Sequence, residues 1–438
     1  MSRPQGSPAD AGRADPSAIL TALYEAAIEA VSPAHCLPDA LPPPTAGRTV
    51  VIGAGKGAAE MARVLERHWP AQARSRLSGA VVTRFGHGAS CEVVEVIEAA
   101  HPVPDEAGLQ AAARIRAMVS GLGADDQVVC LLSGGGSALL TAPMDGMSLA
   151  EKQAINRALL RSGANITEMN CVRKHLSAIK GGRLGLACGD ARLHTLIISD
   201  IPGDDPAVTA SGPTLPDAST CADALRILAR YEIDVSASVR DMLVSGRAES
   251  PKSADFAGRD HRTVIVARAE DALAAAARCA TGFGLHPIVL SDRLEGEAAG
   301  LASALGRMCL RGLEGLAHPP FARGSVVLSG GETTVTVRGN GRGGRNAEFL
   351  LALALELEGT DAHGLAVDTD GIDGSEDNAG CVFDPETLAR VRAAGLDPRG
   401  LLADNDAYSA FAAADGLVMT GPTRTNVNDF RAILLPAR

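Results

Sequence analysis

Apolar positions along this chain alternate between short unbroken runs and longer stretches where they recur every third or fourth residue. The runs at 49–52, 79–83, 93–97, 127–132 and 195–199 predict strands buried on both faces. The periodic stretches at 17–31, 57–68, 106–120, 149–163 and 166–179 predict helices between them. Such alternation implies a Rossmann-like, doubly wound α/β domain, with ligands at the carboxyl ends of parallel strands. A polar stretch at 245–262 is the best boundary. Beyond it a strand at 263–267, a helix at 270–281 and a strand at 287–290 resume the pattern. Runs at 325–328 and 333–337 flank Gly330-Gly331 like a hairpin, which predicts a mixed sheet. The expected organisation is a disordered tail at 1–16, a first domain at 17–245 and a C-terminal mixed α/β domain at 263–438.

Composition narrows the function. A length of 438 residues fits two domains, and with 3% aromatic residues Ala, Leu and Val must build the cores. The net charge of −11, with no basic stripe, argues against nucleic acid as partner and requires a local basic pocket for any anionic substrate. Nine cysteines spread singly suit a reducing cytoplasm better than a disulfide framework or zinc site. No run is long and apolar enough for a membrane span, and residues 1–16 lack the apolar core of a signal peptide.

Three glycine-rich turns stand out. Gly53-Ala54-Gly55-Lys56-Gly57 joins a strand to a helix, and an ammonium beside a helix N-terminus favours an anion. It matches G-x-G-x-x-[GA], but the acid expected after the second strand is missing and Arg84 stands there, which leaves an NADP-dependent reductase open. Ser133-Gly134-Gly135-Gly136-Ser137 follows a buried strand and can cradle phosphate with backbone N–H groups. Arg342-Gly343-Gly344-Arg345-Asn346 opens a helix at 347–357, where the fork of Arg345 suits carboxylate or phosphate. Each has a bland alternative as a tight turn.

Basic and acidic loops accompany them. Arg173, Lys174 and Lys180 concentrate charge near His175, with Arg173 and Lys180 on one face if the helix runs through 179; a solvated face is the alternative. Asp200 follows a strand, where a phosphotransferase would hold Mg²⁺ or orient a hydroxyl. Asp370 lies in Asp368-Thr369-Asp370-Gly371-Ile372-Asp373-Gly374, which fails the EF-hand pattern but could meet a Mg²⁺–nucleotide. Thr423 and Asn426 sit in a polar loop suited to hydroxyls or phosphate.

In order, GAGKGAAEMA, HPVPDEAG, LLSGGGSALL, NCVRKHLSAIKGGRL, ISDIPGDDPAVTASGPT, LSGGETTV, GRGGRNAE, DTDGIDG and TGPTRTNVNDF resemble the class II glycerate kinases, whose C-terminal part is the MOFRL domain. The resemblance covers nearly the whole chain after residue 17 and sets the MOFRL region at about 323–435. It implies ATP-dependent phosphorylation of D-glycerate, usually at the 2-hydroxyl, on two α/β domains with the site in the cleft between them. The family's essential lysine falls on Lys56 and its essential arginine on Arg345. Lys56, Arg345 and Asp200 are therefore the expected catalytic residues. Gly55, Ser133 to Ser137, Arg173, Lys174, Lys180, Asn346, Thr423 and Asn426 are the expected binding residues, with Asp200 and Asp370 for Mg²⁺. Departures from the family pattern are Ala100, Ala269 and Arg424. Glycerate and ATP are the implied partners, with a homodimer left open. A hydroxypyruvate reductase is the alternative, and a non-catalytic sugar-acid sensor the third reading.

Overall fold

The strands predicted from unbroken apolar runs are interior strands of a sheet. In the computed structural model, which describes residues 15–315 and 321–437, every residue of β1 (Thr49–Ala54) is buried. The sheet continues with β2 (Leu77–Arg84), β3 (Val94–Ala99), β4 (Gln127–Leu132), β5 (Arg192–Ile198) and β6 (His261–Ala267). Its order is β3-β2-β1-β4-β5-β6, and the pairings β3–β2, β2–β1, β1–β4 and β4–β5 are parallel. Val50, Ile52, Val82, Val128, Cys130 and Leu132 pack with Ala111, Ala112, Ile115 and Val119 of the helix Glu106–Val119. The alternate residues Val51, Val81, Val129 and Leu131 are equally buried, so neither strand face needed polar residues.

The other compact unit holds a six-stranded mixed sheet. Its strands are β7 (His286–Glu297), β8 (Ser325–Thr334), β9 (His363–Asp368), β10 (Gly380–Phe383), β11 (Leu417–Val418) and β12 (Asp429–Leu435), in the order β11-β10-β9-β12-β8-β7. Only β7 and β8 pair in parallel. The helix Arg345–Glu356 is buried from Asn346 to Leu355, which explains its nearly all-apolar sequence.

Four expectations are corrected. The units comprise residues 33–266, and residues 1–32 with 267–438. The first described helix, Pro16–Val31, thus belongs with the C-terminal unit: it packs on the helix Ala269–Gly282, and Thr425 Oγ1 donates to the Val31 carbonyl at 2.7 Å. The strand at 263–267 joins the first sheet as β6 rather than opening the second. No hairpin forms at Gly330-Gly331; β8 runs straight through, and register shifts in β7 between Val289 and Leu294 absorb the irregularity. The helix expected to reach 179 ends at His175, so Arg173 and Lys180 share no helical face. Of the tail expected at 1–16, residues 1–14 lie outside the described residues; Asp15 caps the first helix and Pro16 opens it.

Candidate active site

The strand order reverses between β1 and β4, the switch point where doubly wound sheets bind ligands. The GAGK turn follows β1, the SGGGS turn follows β4, and the two interlock. The Ser133 N–H donates to the Ala54 carbonyl at 3.1 Å and the Lys56 N–H to the Gly134 carbonyl at 2.8 Å. The Gly57 N–H donates to Ser133 Oγ at 2.9 Å. Gly55 has φ +137°, and a Cβ there would lie 2.2 Å from Ser133 Oγ, so only glycine lets the turns approach. This geometry changes the expectation for the first turn: the N–H groups of Gly55, Lys56, Gly57 and Ala58 are all spent on protein acceptors. In the second turn the N–H groups of Gly134, Gly135 and Ser137 donate to no described residue. Gly135, at φ +81°, turns that backbone toward His101 and the Lys56 side chain. Asp200 follows β5, beside β4 in the sheet.

A cavity of about 210 Å³ opens beside the second turn. His101, Gly135, Ser137, Asn156, Arg157 and Arg173 line it, and no carboxylate does. Ser137 Oγ shares a 2.8 Å hydrogen bond with Ser211 Oγ, which in turn donates to Asn170 Oδ1 at 3.1 Å. Ala210 and Ser211 sit at φ 52° and 61°, a left-handed strain of about 1–3 kcal/mol each that persists only where neighbours impose it.

The three expected basic binders separate. Arg173 is half-buried on the cavity wall, and burial lowers its pKa. Lys180 lies beneath, 1% exposed, donating to the Ser137 and Leu140 carbonyls at 2.7 and 3.0 Å; it holds the turn in place and is not open to a ligand. Burial, then the nearby cations Lys152 and Arg173, push its pKa well down. Lys174 is also buried, and pairs with Asp217 at 3.3 Å. Lys152, not among the expected binders, is buried with its ammonium on the Leu176 carbonyl at 2.7 Å. Burial, then Arg173 and Arg183, lower it to about 7.

In the other unit, Arg345 is enclosed. Its Nε meets Asp429 Oδ1 at 2.9 Å, one terminal nitrogen Asp368 Oδ2 at 2.7 Å and the other Glu332 Oε1 at 3.0 Å. Burial works against the charge, but Asp429, Asp368 and Glu332 outweigh it and hold the guanidinium above its ordinary pKa. Asn346 donates to Asp429 Oδ1 at 2.8 Å, while the Asn346 and Ala347 N–H groups meet Asp373 at 3.0 and 2.8 Å. Asp373 is fully buried, and desolvation raises it to about 6 despite those N–H groups. Arg431 also pairs with Asp429 and stacks over Phe349, its guanidinium carbon 4.8 Å from the ring centre. Thr423 is tied to the next loop, its N–H on the Asp370 carbonyl at 3.0 Å. Asn426 Oδ1 accepts the Asn428 N–H at 3.2 Å. Asn346 is thus tied to the carboxylate cluster, Thr423 to the neighbouring loop and Asn426 to its own turn.

Asp370 is 1% exposed and accepts the Ile372 N–H at 2.8 Å within its own turn. Among the described residues the one group of three potential metal ligands is His175, Cys221 and Glu249, which contains neither Asp200 nor Asp370. Glu249 is instead held by Lys252 at 2.6 Å, and burial raises the Cys221 thiol to about 12.

The sheet and its interlocked turns define a two-unit α/β protein with a glycine-rich turn of open N–H groups at a topological switch point. Residues 19–244 match the domain of unknown function DUF4147, and residues 325–429 match the MOFRL family. A protein of Agrobacterium vitis bearing a hydroxypyruvate reductase name is 50% identical, over 95% of this chain and 94% of its own length. The D-glycerate 2-kinase of Thermotoga maritima is 38% identical, over 93% and 95%. The crystal structure of a Thermotoga maritima glycerate kinase superimposes with a TM-score of 0.84 at 36% identity, covering 95% of this chain and 99% of that one. A Pyrococcus horikoshii structure gives 0.79 at 34% identity, covering 97% and 99%. The chain belongs to the MOFRL family of glycerate kinases.

Proposed function

We propose that this chain is a glycerate 2-kinase, transferring the γ-phosphoryl group of ATP to the 2-hydroxyl of D-glycerate. The observation that carries the reading is the open row of N–H groups at Gly134, Gly135 and Ser137, with Lys56 beside it. Phosphoryl transfer needs in-line positioning and neutralised equatorial oxygens more than covalent chemistry. The Ser133–Ser137 turn cradles phosphate, and Lys56 neutralises the group in transfer. Arg345 acts from the carboxylate cluster, exchanging half-exposed Glu332 for the incoming anion while Asp368 and Asp429 hold its other nitrogens.

Mg²⁺ in such enzymes takes one or two carboxylates, substrate phosphates and water rather than a full protein cage. A single carboxylate following β5, next to the cradle-bearing strand, fits that need. Asp200 would hold the ion, which when bound would offset charge on the phosphates. The nine cysteines are all free thiols, in keeping with a cytoplasmic enzyme.

The reductase reading rests on the Agrobacterium relative's name and on the G-x-G-x-x-A turn. One observation counts against it: that turn's N–H groups are consumed by protein acceptors, which leaves none for a dinucleotide pyrophosphate, although Arg84 at the end of β2 suits an NADP phosphate. Purified protein with Mg·ATP and D-glycerate should release ADP and give the ³¹P signal of 2-phosphoglycerate. Oxidation of NADPH by hydroxypyruvate without ADP release would establish the reductase, and glycerate binding without turnover the sensor.

A further inference from the structure

The cavity beside the SGGGS turn carries positive charge that nothing balances. Arg173 has no hydrogen bond or ion pair with any described residue. Behind it, Lys152 and Lys180 reach only main-chain carbonyls, and Arg173 repels both. Arg157 adds a further cation at the rim. A half-buried guanidinium without a carboxylate is costly, and burial shifts the two lysines behind it towards their neutral form. In a chain of net charge −11 this is a pocket of local electropositivity awaiting an anion.

Size and shape select the anion. At about 210 Å³ the cavity is smaller than the ~300 Å³ at which drug-sized ligands begin, so a three- or four-carbon acid fits better than a nucleotide. A planar guanidinium fork matches a carboxylate with two parallel hydrogen bonds. His101, Ser137 and Asn156 offer polar partners for hydroxyl groups on the same molecule. We propose that Arg173 binds the carboxylate of the acid substrate in this cavity and sets the preference for an acid over its neutral analogue. The inference rests on the kinase reading for the identity of the acid. It leaves Lys56 to the phosphoryl group.

The test is Arg173→Gln, with Arg173→Lys and Asn156→Asp beside it. Arg173→Gln should raise the KM for D-glycerate by about 10- to 100-fold, as loss of hydrogen bonds to a charged group does, and leave the KM for ATP within about twofold. Wild type should prefer glycerate to uncharged glyceramide, and the variant should lose that preference. Arg173→Lys should fall between, and Asn156→Asp should raise the glycerate KM by placing a carboxylate in the cavity. Because Arg173 has no protein partner, ligand-free Arg173→Gln should melt at or above the wild-type temperature. Glycerate alone should raise the melting temperature of wild type but not of the variant. A rise in the KM for ATP alone would assign the cavity to nucleotide phosphate and overturn the proposal. Unchanged constants, or glycerate stabilising both proteins equally, would do the same. Wild type that releases no ADP would remove the kinase reading, while the glycerate melting shift would still decide whether Arg173 holds a carboxylate.

Discussion

Lys56 and Arg345 were found in the sequence by the same reasoning, a cation in a glycine-rich turn, yet their surroundings differ. Lys56 is half-buried in a turn whose shape is maintained by main-chain and Ser133 hydrogen bonds. Lys56→Ala should therefore lower kcat by at least ~10²–10³, the loss for a group acting on transition-state charge. The variant should still fold, because main-chain and Ser133 hydrogen bonds keep the turn, and far-UV circular dichroism checks this. A near-normal rate would remove Lys56 from the chemistry. Arg345 instead joins Glu332, Asp368 and Asp429, which come from β8, β9 and β12. Arg345→Ala strands buried carboxylates and should cost about 3–5 kcal/mol as well as activity. Arg345→Lys should restore little, since a point ammonium cannot serve three carboxylates in the plane of a fork. The turn residues reveal both cations, but a guanidinium's partners lie on strands that only the folded sheet brings together. The cavity was less legible still: Gln153, Asn156 and Arg157 lie on the helix Leu149–Arg161, an ordinary amphipathic segment as sequence.

The two switch-point turns behave as one element, because each supplies the other's acceptors. Ser133→Ala leaves the buried Gly57 N–H without its partner and should cost ~1–3 kcal/mol, with a fall in kcat as the cradle loosens. Equal melting of variant and wild type would show that the turns are independent. The helix Arg345–Glu356 offers a second test through Asp373, whose carboxylate meets its first N–H groups. The folded carboxyl, raised to about 6 from 3.8, keeps its proton in a window where the unfolded chain has lost it. That group's contribution is thus most favourable in acid and declines as pH rises through about 6. Asp373→Asn removes the decline, so its stability relative to wild type should climb by roughly 2–3 kcal/mol between about pH 4 and pH 7. A constant difference in denaturant midpoints across that range would refute the raised carboxyl. The strands were readable because burial on both faces forces continuous apolar runs. The failures share one cause: Leu176 and Ile179 are apolar because they are buried, not because the helix continues, and Gly330-Gly331 interrupts a pattern that the β8 backbone does not. Local pattern reports burial, and the backbone path is decided by partners outside the window.

The chain begins in one unit, builds the other, and returns. Helical periodicity at 17–31 announces an apolar face, and sequence proximity suggested that the first sheet would cover it. The face is covered instead by the helix Ala269–Gly282 and by β12, where Tyr24 lies 6.4 Å from the Phe430 ring. Ile19, Leu20, Leu23, Ala27 and Val31 are buried there, and the Thr425 hydroxyl holds the Val31 carbonyl. At about 25 cal/mol per Å² such apolar residues contribute several kcal/mol, all of it to the unit that ends the chain. Removing residues 1–32 should therefore destabilise residues 267–438 while sparing the domain that follows in sequence. Hydrogen exchange provides the check: protection should fall in Ala269–Gly282, β9 and β12, and persist in β1, β2, β4 and β5. Loss confined to residues 33–266 would reverse the assignment of the helix. Uniform loss across both units would mean that they unfold as a single cooperative body, with the first helix supporting the whole chain rather than its far end.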